Sequence, residues 1–488
     1  MGSPHGRPPE GGAALRVEEG RTYDLHPMSA VLPNSNPTGR APGLPIAVVG
    51  LGHVGLPLAE LFCRGGHRVL GFDREPGRLE QLRGGRMPLT HLRDRGVPEG
   101  LEPTADLERL QECGTIVLCL PTPLDAQTRK PDLTALRQWR DRLADLPSGG
   151  GRRLLLVTST VPPGTTRALF AGPLAERFDV AISPEREDPG VRRPAESVPR
   201  VVGAAQPRAM DRAAVLLESI GFPVHRAPSL EVAEASKLWE NLYRSVNIAL
   251  AAELERLLEA EGIDPNAVLA AASTKPFGFA PFYAGAGAGG PCIPEVARFL
   301  DGLGSCALLE EVDRVHAGAA QRLIERLDPA LAERSIAPES ARVLVIGVAY
   351  KPGVADIRNA PGARLLEQLA GRGNPVAYLD PLVRSLEVGE GERLEGLGGP
   401  PDELALAKFD AVVLIGPPPE SLKRSLVAAP LVVVDPRGWL GHGSGAEALV
   451  PGSGVDPELA GREHAEPSEL AGQRQRARVG SGAAGSQG

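Results

Sequence analysis

A glycine- and alanine-rich segment that leads to a cysteine is the part of the sequence best suited to chemistry. Every residue from Ala284 to Gly290 is glycine or alanine. Such a segment has little side-chain bulk, so its backbone amides can approach an anionic ligand closely. Cys292 follows, and Pro294 is suited to the first turn of a new helix, where positive potential would favour the nucleophilic thiolate. These residues alone leave open a flexible turn followed by an inert cysteine.

A second chemically suggestive turn lies near the start of the chain. A short apolar strand ends at Val49, and Gly50, Gly52 and Gly55 follow it in a G-x-G-x-x-G pattern before a helical segment. A second apolar strand ends at Asp73, 18 residues beyond Gly55. This arrangement is typical of dinucleotide-binding domains, where pyrophosphate rests on the helix N-terminus and the acid binds the adenosine ribose. The pattern predicts NAD rather than NADP; an unliganded strand–helix turn is the alternative.

Further strands are predicted at 115–119, 154–157, 180–182 and 201–202, alternating with helical segments. This alternation is typical of a parallel sheet that is covered on both faces. Ligands of such sheets bind beyond the carboxyl ends of the strands. The residues that follow these strands are therefore site candidates, although turn or capping roles explain Ser and Thr equally well: Pro121, Thr122, Thr160 and Glu185.

A long helix must position the polar residues in the middle of the chain. The pattern runs from Leu230 to Leu258 without glycine or proline, and Gly262 and Pro265 end it. Lys237 and Asn241 are four residues apart on it, with Arg244 close to the same face. A solvated polar stripe is one interpretation, but the apolar neighbours favour burial between domains. Helices at 265–272 and 308–327 would complete a small helical domain.

A second strand–turn–helix series begins at Arg342, with later strands at 376–379, 411–415 and 431–434. Its first turn departs from G-x-G-x-x-G and carries Lys351 and Arg358, which fits a nucleotide with exposed phosphates better than a second NAD. The predicted fold class is α/β, with two Rossmann-like doubly wound parallel-sheet domains joined by a long central helix and a small helical domain. The predicted boundaries are a disordered tail at 1–43, the NAD domain at 44–228, the helical domain at 229–335, a second Rossmann-like, nucleotide-binding domain at 336–445 and a second disordered tail at 446–488.

Composition narrows the function classes. The chain has 488 residues and a net charge of −8, which does not favour nucleic acid or anionic membranes as partners. Its five cysteines show no metal-ligand spacing, so no metal site is expected, and their scatter suits a reducing compartment. Neither a membrane-spanning run nor a signal-peptide core is apparent, so we expect a cytoplasmic protein without membrane insertion.

The order of motifs resembles the UDP-glucose/GDP-mannose dehydrogenase family, especially the branch that oxidises UDP-N-acetylglucosamine or UDP-N-acetylmannosamine at C6. The resemblance covers about residues 45–440 and rests on nine segments: Val49-Gly-Leu-Gly-His-Val-Gly-Leu-Pro57, Pro121-Thr-Pro-Leu124, Pro131-Asp-Leu133, Ser159-Thr-Val-Pro-Pro-Gly-Thr-Thr166, Ser183-Pro-Glu-Arg-Glu-Asp-Pro-Gly190, Glu234-Ala-Ser-Lys-Leu-Trp-Glu-Asn241, Arg244-Ser-Val-Asn-Ile-Ala249, Gly289-Gly-Pro-Cys-Ile-Pro294 and Gly347-Val-Ala-Tyr-Lys-Pro352.

The resemblance implies a four-electron oxidation of a UDP-sugar alcohol to a carboxylate with two NAD⁺. Cys292 would form a thiohemiacetal and then a thioester, which water hydrolyses. Lys237 and Asn241 would hold the developing oxyanion, and Glu185 and Thr160 would lie around the reacting carbon. The implied cofactor-binding residues are Gly50, Gly52, His53, Val54, Gly55, Asp73, Arg78, Pro121, Thr122 and Thr160. The implied substrate-binding residues are Glu185, Arg186, Lys237, Asn241, Arg244, Phe282, Tyr283, Gly285, Gly287, Gly289, Lys351 and Arg358. A homodimer or higher homo-oligomer through the long central helix is also implied.

The sequence departs from the family pattern near the cysteine. The family has an aspartate four residues beyond the cysteine, where this chain has Val296, and a histidine where it has Pro291. Valine cannot accept a proton, and Glu295 next door would turn about 100° away on an α-helix. His316 stands where an asparagine is expected. Two hypotheses follow: an active dehydrogenase, or an impaired or inactive relative that binds NAD and a UDP-sugar.

Overall fold

The computed structural model describes residues 43–440, except 90–91, 94, 148–150, 187–196, 291 and 390. Both predicted tails lie outside the described residues, apart from residue 43, and so does the second half of the 183–190 motif. The first part of the chain forms an eight-stranded sheet from strands whose apolar residues are buried. Its strands are β1 (Ile46–Val49), β2 (Val69–Phe72), β3 (Leu101–Thr104), β4 (Thr115–Leu118), β5 (Arg153–Val157), β6 (Phe178–Ile182), β7 (Arg200–Ala204) and β8 (Val224–Arg226).

The order of the eight strands is β3-β2-β1-β4-β5-β6-β7-β8, and all neighbouring pairs are parallel except β6 with β7. Packed against this sheet are α1 (Gly55–Arg64), α2 (Pro76–Arg83), α3 (Thr134–Asp145) and α4 (Pro207–Glu218). The sequence predicted the six central strands and missed β3 and β8, which occupy the two edges. Edge strands lack the continuous apolar run of a buried parallel strand, and β3 contains a proline.

The middle of the chain is helical, with α5 (Leu230–Ala260), α6 (Pro265–Ala272), α7 (Ala307–Ala317) and α8 (Ala319–Glu333). The Ser229 side chain accepts a hydrogen bond from the Val232 amide and begins α5 where the sequence predicts. The single helix predicted at 308–327 is wrong, because Gly318 ends α7 and α8 begins at the next residue. No helix in the described part of the chain is long and apolar enough to cross a membrane.

The segment after the cysteine also differs from the prediction. No α-helix begins at Pro294; residues 292–295 form turns, and a 3-10 helix follows at Val296–Leu303. A 3-10 helix has three residues per turn, so Val296 and Phe299 lie on one side of it. Both pack against Leu238 of α5 in a small apolar cluster. This contact fixes the side of the 3-10 helix that faces α5.

A second α/β unit follows α8. It consists of β9 (Val343–Ile346), α9 (Pro361–Gly371), β10 (Val376–Leu379), β11 (Ser385–Val388), β12 (Glu392–Glu395), α10 (Glu403–Leu406), β13 (Ala411–Leu414), α11 (Glu420–Ala428) and β14 (Val432–Val434). The parallel order is β10-β9-β13-β14, and β11 and β12 form a separate antiparallel pair that the sequence did not predict. The two sheets and the long helix confirm the predicted α/β fold class.

Candidate active site

The glycine turn after β1 is shaped for a nucleotide. Gly50 has φ +90°, and a Cβ there would lie 2.5 Å from the Cys119 carbonyl oxygen. A Cβ on Gly52 would meet nothing within 4 Å, so this glycine leaves open space beside the turn. Val54 precedes α1, and no described side chain caps the helix amides. An uncapped helix N-terminus beside open space fits the pyrophosphate of a dinucleotide.

Asp73 lies at the end of β2, where it organises the same turn. Its Oδ2 accepts hydrogen bonds from the Leu51 amide at 2.8 Å and from Arg78 Nη1 at 2.8 Å. Burial alone would raise the pKa of Asp73, but the amides of Glu75 and Leu51 together with Arg78 hold it below the usual value. The side chain is therefore ionised at neutral pH, as a hydrogen-bond acceptor for ribose hydroxyls must be.

His53 extends this turn toward the second α/β unit. Burial lowers the pKa of His53, Asp356 opposes that effect, and Arg358 and Arg78 add to it. Asp356 and Arg358 belong to the basic turn after β9, so the glycine turn and the basic turn are within electrostatic reach of each other. The dinucleotide turn therefore lies close to the basic turn of the second unit.

The ends of β4 and β5 are joined where polar residues follow both strands. Thr122 Oγ1 donates to the Thr160 carbonyl at 2.7 Å, and Ser159 Oγ donates to the Leu120 carbonyl at 2.7 Å. Pro121, Thr122 and Thr160 thereby form one wall at the carboxyl edge of the first sheet. Parallel sheets of this kind bind ligands at such an edge.

This wall faces a cavity of about 430 Å³ that contains the cysteine. Cys292 is exposed within a turn between the glycine-rich segment and the 3-10 helix. The described residues that line the cavity are Leu120, Pro121, Thr122, Pro123, Leu124, Thr160, Asn241, Cys292, Glu295, Val296, Phe299, Arg358 and Asn359. The cavity therefore brings together residues of both sheets, of α5 and of the cysteine segment.

Lys237 and Asn241 occupy successive turns of α5, the helix that borders this cavity. Asn241 is buried and lines it, and Lys237 lies within electrostatic reach of Cys292. Burial lowers the pKa of Lys237, while Cys292, Glu240 and Glu185 oppose that effect. A cation and an amide on one helix face beside a thiol can stabilise a developing oxyanion.

The described lining of this cavity does not include Lys237, Glu185, Arg186 or Arg244. Glu185 Oε1 accepts from Arg200 Nη1 at 2.8 Å and from the Arg186 amide at 2.8 Å. Arg186 forms an ion pair with Glu240 of α5 at 2.8 Å, and Arg244 lies on the exposed part of α5. Their roles at the substrate stay predictions.

The glycine-rich segment packs closely against other parts of the protein. Gly290 has φ +81°, and a Cβ there would lie 2.8 Å from the Tyr350 ring. A Cβ on Gly285 would lie 2.8 Å from the Arg437 side chain. Packing accounts for these two glycines, as it does for Gly287 against Ala319 and Gly289 against Pro361. A ligand-binding role for the segment, including Phe282 and Tyr283, stays a prediction.

The two cations of the basic turn lie in different cavities. Lys351 lines a second cavity of about 840 Å³ at the carboxyl edge of the second sheet, together with Asp380 and Arg384. Arg358 lines the cavity of Cys292, and its Nη2 forms an ion pair with Asp356 at 2.6 Å. Arg358 therefore lies beside the thiol, whereas Lys351, seven positions earlier in the chain, lies at a cavity large enough for a nucleotide.

Sequence reasoning missed two residues of this region. Asn359 lines the cysteine cavity, where its Nδ2 donates to Glu295 Oε1 at 2.9 Å. Arg437 follows the last strand, and its guanidinium carbon lies 4.9 Å from the centre of the Tyr283 ring. The position of Arg437 beyond a strand end was a usable signal. Within the described residues, no group of three or more His, Cys, Asp or Glu side chains could hold a metal ion.

A dinucleotide turn, an adjoining thiol and a second nucleotide-sized cavity define the class of cysteine-containing nucleotide-dependent dehydrogenases. Comparison with known families gives the same result. Residues 44–220 match the NAD binding domain of the UDP-glucose/GDP-mannose dehydrogenase family, residues 231–310 match its central domain, and residues 344–442 match its UDP binding domain. The chain belongs to this family. It is an NAD-dependent oxidoreductase that acts on a CH–OH group, with NAD as cofactor and a UDP-sugar as substrate.

Individual relatives support this assignment. The UDP-N-acetyl-D-glucosamine 6-dehydrogenase of Pseudomonas aeruginosa is 34% identical over 70% of this chain and 83% of its own length. The UDP-N-acetyl-D-mannosamine dehydrogenase of Pyrococcus horikoshii is 31% identical over 70% of this chain and 84% of its own. A solved structure of UDP-D-ManNAc dehydrogenase from Pyrococcus horikoshii superposes with a TM-score of 0.73 at 28% identity, covering 83% of this chain and 98% of that one.

Proposed function

We propose that the chain oxidises the C6 alcohol of a UDP-N-acetylhexosamine to a carboxylate through a thioester on Cys292. The observation that carries the proposal is the cavity in which Cys292, Thr160 and Asn241 meet at the carboxyl edge of the first sheet. The sugar class follows the relatives, whose names specify UDP-N-acetyl-D-glucosamine and UDP-N-acetyl-D-mannosamine.

The cofactor would be held by the turn at Gly50, Gly52 and Gly55, by Asp73, and by the wall at Thr122 and Thr160. NAD⁺ supplies the hydride acceptor for both oxidations. Lys237 and Asn241 would hold the C6 oxygen and stabilise negative charge on it as the alcohol becomes an aldehyde. Burial lowers the pKa of Lys237, which makes its ammonium group a better proton donor to that oxygen.

Cys292 would then bond to the aldehyde carbon as a thiolate, giving a thiohemiacetal whose oxidation produces a thioester. Water would cleave the thioester, releasing the carboxylate and regenerating the thiol. Arg358 lines the same cavity as Cys292. The nucleotide would be bound by the second α/β unit, with Lys351 in its cavity and the segment from Phe282 to Gly289 around the sugar.

A test of the function follows NADH at 340 nm with UDP-N-acetylglucosamine, UDP-N-acetylmannosamine and UDP-glucose. The expected result is two NADH per sugar with one of the N-acetylated substrates, and loss of the carboxylate product in Cys292→Ala. Cys306→Ala is the matched control, since Cys306 is also exposed but lies at the start of α7. A Cys292→Ala variant that still forms the carboxylate would contradict the thioester.

The alternative is a relative that binds NAD and a UDP-sugar without turnover. It is favoured by Val296, which places an apolar side chain where the family has an aspartate. Under this alternative the wild-type chain produces no NADH although calorimetry detects both ligands, and restoring the acid with Val296→Asp should raise the activity.

We also infer that two copies of the chain associate through α5. The described part of this helix exposes Trp239, Leu250, Leu254 and Leu257. Beside it lies a groove of about 230 Å³ between α5, α6 and the segment around Phe279. Contiguous exposed apolar surface of this kind is typical of an interface, and the same helix on a second copy is apolar in the same way.

A further inference from the structure

The cavity of Cys292 contains one carboxylate among its described lining residues, and that carboxylate is Glu295. Glu185, the acid that the sequence favoured for catalysis, is not among the lining residues and is paired with the buried Arg200. Thiol and carboxylate are three residues apart, on the turns that precede the 3-10 helix. A group that exchanges protons with a water in this cavity is therefore most directly found at position 295.

Glu295 is held by a neutral partner. Asn359 Nδ2 donates to Glu295 Oε1 at 2.9 Å and also lies 3.3 Å from the Gly290 carbonyl oxygen. The orientation of this amide is set by Arg364, whose Nη2 donates to Asn359 Oδ1 at 3.0 Å. Because Arg364 can only donate, the NH₂ group must face the carboxylate. Among the described residues, the side-chain hydrogen-bond partner of Glu295 is therefore an uncharged amide.

The backbone of Asn359 is adapted to this role. Its φ is +51°, a conformation that asparagine tolerates better than most residues. The neighbouring Arg358 accepts a hydrogen bond from the Gly290 amide through its carbonyl oxygen at 3.0 Å. The basic turn thus binds both the backbone amide and the backbone carbonyl of Gly290. It also presents the Asn359 side-chain amide to Glu295.

Position 296 cannot supply the same group. Val296 lines the cavity, but its side chain is apolar and is buried against Leu238 and Phe299. Glu295 precedes the 3-10 helix and brings its carboxylate to Asn359. The α-helical geometry expected from the sequence does not apply, because the segment begins with turns and continues as a 3-10 helix.

We propose that Glu295 is the general base for hydrolysis of the thioester on Cys292. Its carboxylate takes a proton from water as the water oxygen bonds to the acyl carbon. The tetrahedral intermediate then collapses, the C–S bond breaks, and Cys292 leaves as a thiolate that the proton from Glu295 neutralises. The step consumes one water and no oxidant. The proposal rests on the function proposed above and assigns to a different position the acid that the family has at 296.

The test compares wild type with Glu295→Gln, which keeps the hydrogen bond from Asn359 but cannot take the proton. With the UDP-sugar that supports turnover, the variant should release two NADH per active site in a burst and then turn over about 100-fold more slowly. Intact-protein mass spectrometry should detect the acyl group on the variant, and Cys292→Ala in the same background should abolish it.

Asn359→Ala is the second variant, because it leaves the carboxylate but removes its orienting partner. It should slow the same step about tenfold while keeping the burst, and it decides the question if Glu295→Gln does not fold. The control is Glu310→Gln, at an exposed position in the first turn of α7. If Glu295→Gln turns over as fast as wild type, or if it produces no NADH burst, Glu295 is not the general base for hydrolysis. Either result would leave the proposed function intact. A wild-type chain that produces no NADH would overturn the proposed function as well.

Discussion

Val296 belongs to the apolar packing beside the cavity, although the sequence suggested it as the point where activity is lost. An aspartate at this position would place a charge among Leu238 and Phe299. We therefore expect Val296→Asp to reduce the free energy of unfolding by about 3 kcal/mol, the cost typical of an uncompensated buried charge, and not to increase kcat. Urea denaturation and the NADH assay measure the two effects.

The matched control for this change is Val296→Thr, which keeps the shape and adds a polar group without charge. It should cost clearly less stability than the aspartate. A Val296→Asp variant with unchanged stability and raised kcat would show that position 296 faces the reacting atoms, and it would favour the impaired-relative hypothesis.

His316 gives the fold a dependence on pH. It is buried between α7 and α5, where its Nε2 lies 3.0 Å from Ser245 Oγ. Burial lowers the pKa of His316; the hydrogen bond with the Ser245 backbone opposes this, and Arg322 and Arg364 reinforce it. The unfolded chain therefore binds a proton first, at about pH 6.5. Stability is complete above that pH and falls as the pH drops toward the folded-state value.

We expect the unfolding free energy to decrease by up to about 1.4 kcal/mol per pH unit in this window on account of His316. Urea denaturation of wild type and His316→Asn between pH 5 and 7.5 isolates the effect, since the variant cannot take up the proton. Equal pH dependence of the two proteins would contradict it.

At the scale of elements, α5 holds the site by its attachment to the first sheet. Glu234 is buried, and its carboxylate accepts hydrogen bonds from the amides of Gly164 at 2.5 Å and Thr166 at 2.7 Å. These amides belong to the loop that begins at Thr160. One carboxylate thus fixes both the rotation of α5, with Lys237 and Asn241, and the loop that faces them.

Removing the Glu234 carboxylate should weaken the attachment of α5 to the loop that begins at Thr160. Glu234→Ala leaves two amides without an acceptor, so we expect a loss of about 2–4 kcal/mol of unfolding free energy and a fall in kcat. Glu231→Ala is the control on the same helix, because its ion pair with Arg167 is largely exposed and should contribute less than about 1 kcal/mol. Equal effects of the two substitutions would exclude the special role of Glu234.

The elements predicted well from the sequence are those with local signals. The Ser229 cap and the unbroken apolar spacing of α5 define that helix, and the glycine turn with Asp73 defines the start of the first sheet. The 3-10 helix after Cys292 could not be predicted, because it depends on contact with Leu238, which is distant in sequence. The break at Gly318 has only a single glycine as its signal.

For the whole molecule, the proposed dimer makes a direct prediction. Leu254 is 49% exposed and lines the groove beside α5. Leu254→Glu should convert the dimer into monomers, since a charge at the centre of an apolar interface is costly. Sedimentation velocity measures the mass. Leu404→Glu, on α10 of the second α/β unit, is the control and should leave the dimer intact. A Leu254→Glu dimer would place the interface elsewhere.

Contacts between side chains that are distant in the sequence could not be predicted from it. Lys351 and Arg358 form one basic turn in sequence, yet they line different cavities. Glu295 and Asn359 are 64 residues apart, and nothing local indicates that they meet. Sequence patterns could therefore propose Cys292, the Lys237–Asn241 pair and the glycine turn as site candidates, whereas the contact between Glu295 and Asn359 required the fold.

The segment that carries Cys292 is anchored at both ends to different halves of the protein. Gly290 is hydrogen-bonded to the basic turn of the second α/β unit, and Val296 is packed on α5, which Glu234 attaches to the first sheet. The position of the Cys292 sulfur therefore depends on how the second α/β unit is placed relative to the first sheet. We expect a ligand that contacts both halves to change the rate at which Cys292 reacts with an alkylating reagent.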